Sequence, residues 1–265
     1  MRSALNSVHE RMLAAVQKRA VDLAPVAQMP RLVAVSKLKP VSAVVEAYDC
    51  GQRYFGENYI QELETKSNSE EIVFKCPDIK FHFIGHLQSN KVSKLLKVRN
   101  LHMVETVDSV KLADLINKAI ERHSTEERQN KEPSTCAGRP ETCVVGAKLK
   151  VLIQVNTSGE DQKNGIQPDQ VVGLAEHITK HCQWLDLAGL MTIGKLDGWG
   201  DGPNMDFKRL YELRNVVAEC LSIDPTKLEL SMGMSGDFEE AIRMGSTNIR
   251  IGTMIFGERP PKNPN

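Results

Sequence analysis

The chain has 265 residues, with 34 Lys+Arg balanced by 34 Asp+Glu and a hydrophobic share of 41%; the balance excludes a protein that coats a polyanion such as nucleic acid, and the apolar content suffices for a core. No run of about 18 apolar residues is present to span a membrane, and Arg, Glu, His and Lys interrupt the N-terminal stretch where a secretory signal would be continuously apolar. Six cysteines, Cys50, Cys76, Cys136, Cys143, Cys182 and Cys220, include no CxxC pair, so neither a disulfide framework nor a metal site is expected, and reduced thiols in a cytoplasmic protein are.

A helix is predicted over 3–23, amphipathic and partly basic, with Glu10 and Asp22 arguing against an organellar transit peptide. Strand and helix then alternate. Strands are predicted over 31–37, 54–58, 81–86, 103–108, 151–157, 185–194, 229–234 and 248–257. Several are nearly continuous in apolar residues, as strands buried on both faces of a parallel sheet must be. Helices are predicted between them over 41–50, 60–66, 91–98, 109–122, 169–181, 207–221 and 238–244, with Asp108 or Ser109 as a cap and Gly51 as a stop. This count is that of a single α/β domain folded as a (β/α)₈, or TIM, barrel spanning 1–265. The alternative is an open doubly wound sheet, although no GxGxxG follows the first strand. The segment 123–148 is rich in Glu, Lys, Arg, Thr, Pro and Gly without apolar period. It reads as a mobile insertion entering on the N-terminal face of the barrel, away from chemistry.

Barrels place chemistry at the C-terminal ends of their strands. Lys37 ends the first strand. There it either extends to solvent or sits partly desolvated, with its amine freed to attack an aldehyde. Lys39, beside Pro40, reads as solvated. Asn58 and His86 end the second and third strands, each in a structural or a pocket role. Lys163 follows the fifth strand, on the surface or within reach of a ligand oxygen. After the seventh and eighth strands, SMGMSGDF and RIGTMIFG combine small and hydroxyl residues. Ser235, Gly252 and Thr253 are the natural ligands for a phosphate there, unless Ser235 or Asp237 serves only as a cap. Arg250, among apolar neighbours, needs a partner: a glutamate across the barrel or a ligand atom such as a ring nitrogen. A nucleophilic lysine, a phosphate cup and a buried arginine together suit a phosphorylated aldehyde such as pyridoxal 5′-phosphate. Trp184 and Trp199 lack the basic neighbours of a nucleic-acid surface.

The segments RLVAVSKLKP, YFGENYIQE, FHFIGHLQSNK, VLIQVNTSGEDQKNGI, LAGLMTIG and ELSMGMSGDFEEAIRMGSTNIRIGTMIFG closely resemble the pyridoxal phosphate homeostasis proteins, over about 31–257. This is the family of bacterial YggS and the eukaryotic proline synthetase co-transcribed homologue, itself similar to the barrel domain of alanine racemase. The resemblance implies that Lys37 carries the cofactor as an aldimine. It implies that Ser235, Gly252 and Thr253 bind the phosphate, that Arg250 faces the pyridine nitrogen, and that Asn58 and His86 are pocket residues. The 123–148 insertion is longer than in compact bacterial members.

Racemisation needs two bases, and in alanine racemase the second is a tyrosine from a C-terminal β-domain. Here the chain ends at Asn265 and no such domain is expected. A guanidinium does not readily release its proton, so Arg250 would leave the pyridine nitrogen unprotonated and the ring a weaker electron sink. The expectation is a non-catalytic protein of vitamin B6 homeostasis that holds the cofactor and hands it to apo-enzymes. The alternatives are a pyridoxal-phosphate-dependent amino-acid racemase and, more distantly, a lysine-dependent aldolase acting on a phosphosugar.

Overall fold

Runs of apolar residues become strands covered on both faces. The structure is a computed structural model and describes residues 1–19, 29–129, 148–160, 164–195 and 202–258. Its strands are β1 (Arg31–Val35), β2 (Tyr54–Glu57), β3 (Lys80–Phe83), β4 (Leu101–Val107), β5 (Leu149–Gln154), β6 (Leu185–Met191), β7 (Glu229–Ser231) and β8 (Asn248–Ile251). All neighbours pair in parallel, and β1 pairs with β2 on one edge and β8 on the other, with Ala34 opposite both Phe55 and Ile251. The sheet therefore closes into a barrel in chain order, and the open-sheet alternative is excluded.

Helices α1 (Arg2–Gln17), α2 (Val41–Asp49), α3 (Ile60–Ser67), α4 (Glu70–Lys75), α5 (Val92–Leu95), α6 (Val110–Gln129), α7 (Val171–His181), α8 (Met205–Cys220), α9 (Phe238–Arg243) and α10 (Thr253–Phe256) accompany the strands. Successive side chains of a strand point to opposite faces. Leu32, Ala34, Phe55, Phe81, Phe83, Ile249 and Ile251 thus join helix residues such as Val44, Leu63, Ile116 and Leu174 in the main core. Met103, Leu152, Ala188 and Met191 form a second, smaller cluster. No helix among the described residues is long and apolar enough to cross a membrane.

Local chemistry sets the helix ends. Ser109 Oγ accepts from the Leu112 N–H at 3.3 Å, which caps α6. Gly51 follows α2 at φ +102, where an added Cβ would meet nothing; the requirement for glycine is purely conformational. The buried residues of α1, Leu5, Val8, Met12 and Ala15, form one stripe. Across from it, Arg11 pairs with Glu239 at 2.9 Å, and Arg19 donates to the carbonyls of Ile242 and Ser246. The first helix thereby clasps α9 and the turn that follows it.

Several expectations change. The last predicted strand stops at Ile251, and 253–256 coil into α10, with Ile255 and Phe256 N–H donating to Gly252 O; period alone cannot tell a short apolar run in a strand from one in a helix. The third, fifth, sixth and seventh strands each end three residues early, at Phe83, Gln154, Met191 and Ser231, and Ile84, Ile193 and Met234, just beyond three of those ends, line the mouth of the barrel. Helix α4 was not predicted; Ser69 caps it, accepting from Ile72 N–H at 3.4 Å. Helix α6 runs on to Gln129, into the expected insertion, through good helix formers such as Glu and Arg. The remainder of that insertion, 130–147, and Lys163 lie outside the described residues.

Candidate functional site

A cavity of about 420 Å³ opens at the C-terminal ends of the strands. Val35, Ile84, Met191 and Ile193 give it apolar walls, and Lys37, Asn58, Ser235, Arg250, Gly252 and Thr253 converge on it as polar and small residues. Six of the seven residues expected at the site from sequence thus share one cavity. The seventh, His86, is half exposed, with Nδ1 3.8 Å from the Asp108 carboxylate. It borders a smaller neighbouring pocket of about 250 Å³, which meets the main cavity at Asn58.

Lys37 sits in a turn closed by the Lys39 N–H donating to Ser36 O at 3.0 Å, with Leu38 at φ +61. That strained conformation is held from behind. Glu62 accepts from the Leu38 N–H at 2.6 Å. The buried Lys66 ammonium of α3 donates to Ser36 O, to Glu57 Oε1 and to Glu62 Oε1, each at 2.7 Å. Burial pushes the Glu57 carboxyl above its ordinary value, against the opposing pull of Lys66 and Ser36. Lys39, expected in solvent, is only partly exposed, and its ammonium donates to Phe256 O and Glu258 O. Carbonyls left unpaired at the end of α10 attract a cation.

The turn between β7 and α9 is tied by Asp237, whose carboxylate accepts from the Met234 N–H at 2.6 Å. Asp237 occupies the cap position of α9, but its side chain makes no capping bond to the helix. The turn's own hydrogen bonds do not use the N–H groups of Ser235 and Gly236. A Cβ at Gly236 would meet nothing within 4 Å, and one at Gly252 would crowd Val35 O at 3.3 Å. Open space for an anion thus lies at Gly236, on the cavity that the hydroxyl residues Ser235 and Thr253 also line.

Arg250 resolves its two sequence readings by combining them. It lines the cavity and also reaches a glutamate, through an intermediary. Its guanidinium donates to Ser231 Oγ at 2.6 Å and to Thr192 O at 2.7 Å. Ser231 Oγ donates in turn to Glu105 Oε2 at 2.5 Å. Glu105 Oε1 lies 2.5 Å from His82 Nδ1 and 3.1 Å from Asn248 Nδ2. Burial alone would raise the Glu105 carboxyl, but His82, Arg250 and Ser231 reverse the effect and hold it at about 2. An ionised carboxylate only accepts, so the proton between it and His82 sits on Nδ1. Burial lowers the Arg250 guanidinium from its ordinary value, and Glu105 and Asp237 oppose that shift.

Glu105, Ser231, Thr192, Glu57 and Lys66 were not named from sequence. A signal was present for Glu105: it interrupts the apolar run LHMVETV as Arg250 interrupts NIRI. Two opposite charges in two buried strands of one barrel are candidates for each other. One further feature fits a ligand. Asn58 Oδ1 is buried without a hydrogen-bond partner, at the edge of the cavity where a donor would satisfy it.

Comparison with known proteins adds to this geometry. Residues 12–260 match the model of the family described as alanine racemase, N-terminal domain. The chain is 48% identical over 257 residues to the human pyridoxal phosphate homeostasis protein, covering 97% of this chain and 86% of the relative. Among solved structures it is similar to PipY of Synechococcus elongatus, solved with PLP bound, at 28% identity and TM-score 0.65, covering 92% of this chain and all of that one. Alanine racemase of Clostridium difficile shares the fold at 14% identity and TM-score 0.58, over 95% of this chain and 60% of the racemase.

Proposed function

The chain belongs to the alanine racemase N-terminal-domain family and, within it, to the pyridoxal phosphate homeostasis proteins, and from that premise we propose that it binds pyridoxal 5′-phosphate at the barrel mouth and serves vitamin B6 homeostasis by holding the cofactor. The observation that carries the proposal is the convergence of an amine, two hydroxyls and a guanidinium on one cavity of about 420 Å³. The donor set fits the group: an amine for an aldehyde, hydroxyls beside open backbone for a phosphate, and a fixed cation for a ring nitrogen. The cavity also has the size and the largely apolar lining of a small-molecule site.

When bound, pyridoxal phosphate supplies an electrophilic aldehyde and an electron-withdrawing ring. Lys37 supplies the nucleophilic amine, and its flanking turn is fixed by Lys66 and Glu62 so that little freedom is lost on binding. Ser235 and Thr253 would hold the phosphate as hydroxyl donors, across the open space beside Gly236. Arg250, anchored on Ser231 and Thr192, presents a permanent donor toward the ring nitrogen and keeps its own proton. Asn58 offers its unsatisfied oxygen to the ligand's edge.

The same residues argue against racemisation, which requires a base on each face of the substrate carbon. Among the described residues that line the cavity the amines are Lys37 and Lys39, and Lys39 is committed to two carbonyls. Without a proton from Arg250, the ring withdraws electrons less strongly. On this proposal the protein acts as a cofactor carrier, in the cytoplasm, with apo-enzymes as recipients. Incubating the cofactor-loaded protein with L- and D-alanine in deuterated water tests this. The Cα proton signal persists in the carrier reading. Exchange at about 1 per second or faster would establish an enzyme instead.

A further inference from the structure

On the outer layer of the barrel, three donors of different chemistry meet: Asp114 of α6, His177 of α7, and Cys182 immediately after α7. His177 Nε2 lies 2.7 Å from Asp114 Oδ1. The Cys182 thiol points at the same oxygen, 3.8 Å away. The three donor atoms all lie within 4.8 Å of one another. None of them lines the cofactor cavity.

We propose that Asp114, His177 and Cys182 form a zinc-binding site that bridges α6 and α7. Thiolate, imidazole and carboxylate are the donor types zinc takes, and three protein ligands with water in the fourth position are a recurrent zinc geometry. Tetrahedral bonds of the usual lengths set neighbouring donors about 3.3–3.6 Å apart. The observed separations, 2.7 and 3.8 Å with none above 4.8 Å, bracket that range, so side-chain shifts of about 1 Å or less complete the site. Binding exchanges the Cys182 S–H bond for a sulfur–zinc bond, and the proton leaves to water.

The site is also built and accessible. Cys182 is buried, with its N–H donating to Ile178 O and its carbonyl accepting from the Leu185 N–H. Asn117, on the same helix as Asp114, accepts from the Trp184 N–H at 2.9 Å and pins the loop carrying the thiol. The His177 ring packs against His181, with ring centroids 5.1 Å apart. The side chains of Asp114 and His177 keep 39% and 24% of their exposure, which gives the metal and its water a route in. Sequence spacing conceals this set, because Asp114 and Cys182 are 68 residues apart.

Equilibrium dialysis of the full-length, cofactor-loaded protein against low-micromolar zinc tests the proposal. One equivalent of zinc is retained by the wild type and by Cys50→Ser and Cys220→Ser, and lost from Cys182→Ser and His177→Gln. No retained zinc, or undiminished retention in Cys182→Ser, overturns the site. Should the variants fail to fold, wild-type crystals grown with zinc and measured at the zinc absorption edge decide the matter. An anomalous peak between the three side chains supports the assignment, and its absence there overturns it.

Discussion

A guanidinium buried in a barrel strand needs an anion within reach, and Arg250 obtains one through a single hydroxyl, that of Ser231. The anion is Glu105, held at about 2 inside the fold against about 4.3 in an unfolded chain. The unfolded state therefore binds more protons between those values. The stabilisation, about 3 kcal/mol, is complete above about pH 4.3 and is lost as pH falls through about 2. Glu105→Gln is expected to lower the melting temperature markedly at pH 5 and much less at pH 2; an equal deficit at both would mean that the carboxylate charge is not what stabilises. At the mouth, Ser235→Ala and Thr253→Val each remove a donor to a charged oxygen, worth about 1.5–3 kcal/mol. Titrations are expected to show pyridoxal phosphate affinity falling about 10- to 150-fold with pyridoxal affinity nearly unchanged. Equal losses for both ligands would place these hydroxyls away from the phosphate.

At the scale of elements, the barrel was legible because buried parallel strands must be continuous in apolar residues, and VLIQV and LVAV are. The mouth was legible because strand-end residues face it whatever the loops do. Apart from Glu105 within its apolar run and the Ser69 cap of α4, what escaped had no local signature. The short helix α10 carries an apolar TMIF that reads equally as strand. The anchoring of Lys39 on the end of α10 joins residues more than 200 positions apart. Gly85 shows how tightly the strand ends are packed against each other. A Cβ there would lie 2.0 Å from Asn58 O, a backbone atom that cannot turn aside. Gly85→Ala is expected to force apart the segments after β2 and β3, costing about 1–3 kcal/mol or more, measurable by denaturant unfolding, with a loss of cofactor affinity through Asn58. A variant as stable as wild type would contradict that packing.

Considered as a whole molecule, the barrel separates its two ends. The cavity gathers residues from the C-terminal ends of the strands; Arg11 of α1 pairs with Glu239 at the mouth-side start of α9, and Arg19, just past α1, bonds the carbonyls of Ile242 and Ser246 at its other end. The segment 130–147 connects in sequence the end of α6 to the start of β5, two element ends that lie opposite the mouth. Replacing it by a short glycine–serine linker is expected to leave pyridoxal phosphate affinity unchanged in a protein of normal circular dichroism; a large loss of affinity would tie the segment to the site.

The central claim is that one lysine, Lys37, holds the cofactor covalently within this cavity. Borohydride reduction of the protein loaded with pyridoxal phosphate, followed by peptide mass spectrometry, tests it directly. The account predicts a single phosphopyridoxyl label on the peptide containing Lys37, absent from a folded Lys37→Ala variant. A label on another lysine in the wild type, or a stoichiometric label surviving in Lys37→Ala, would contradict it.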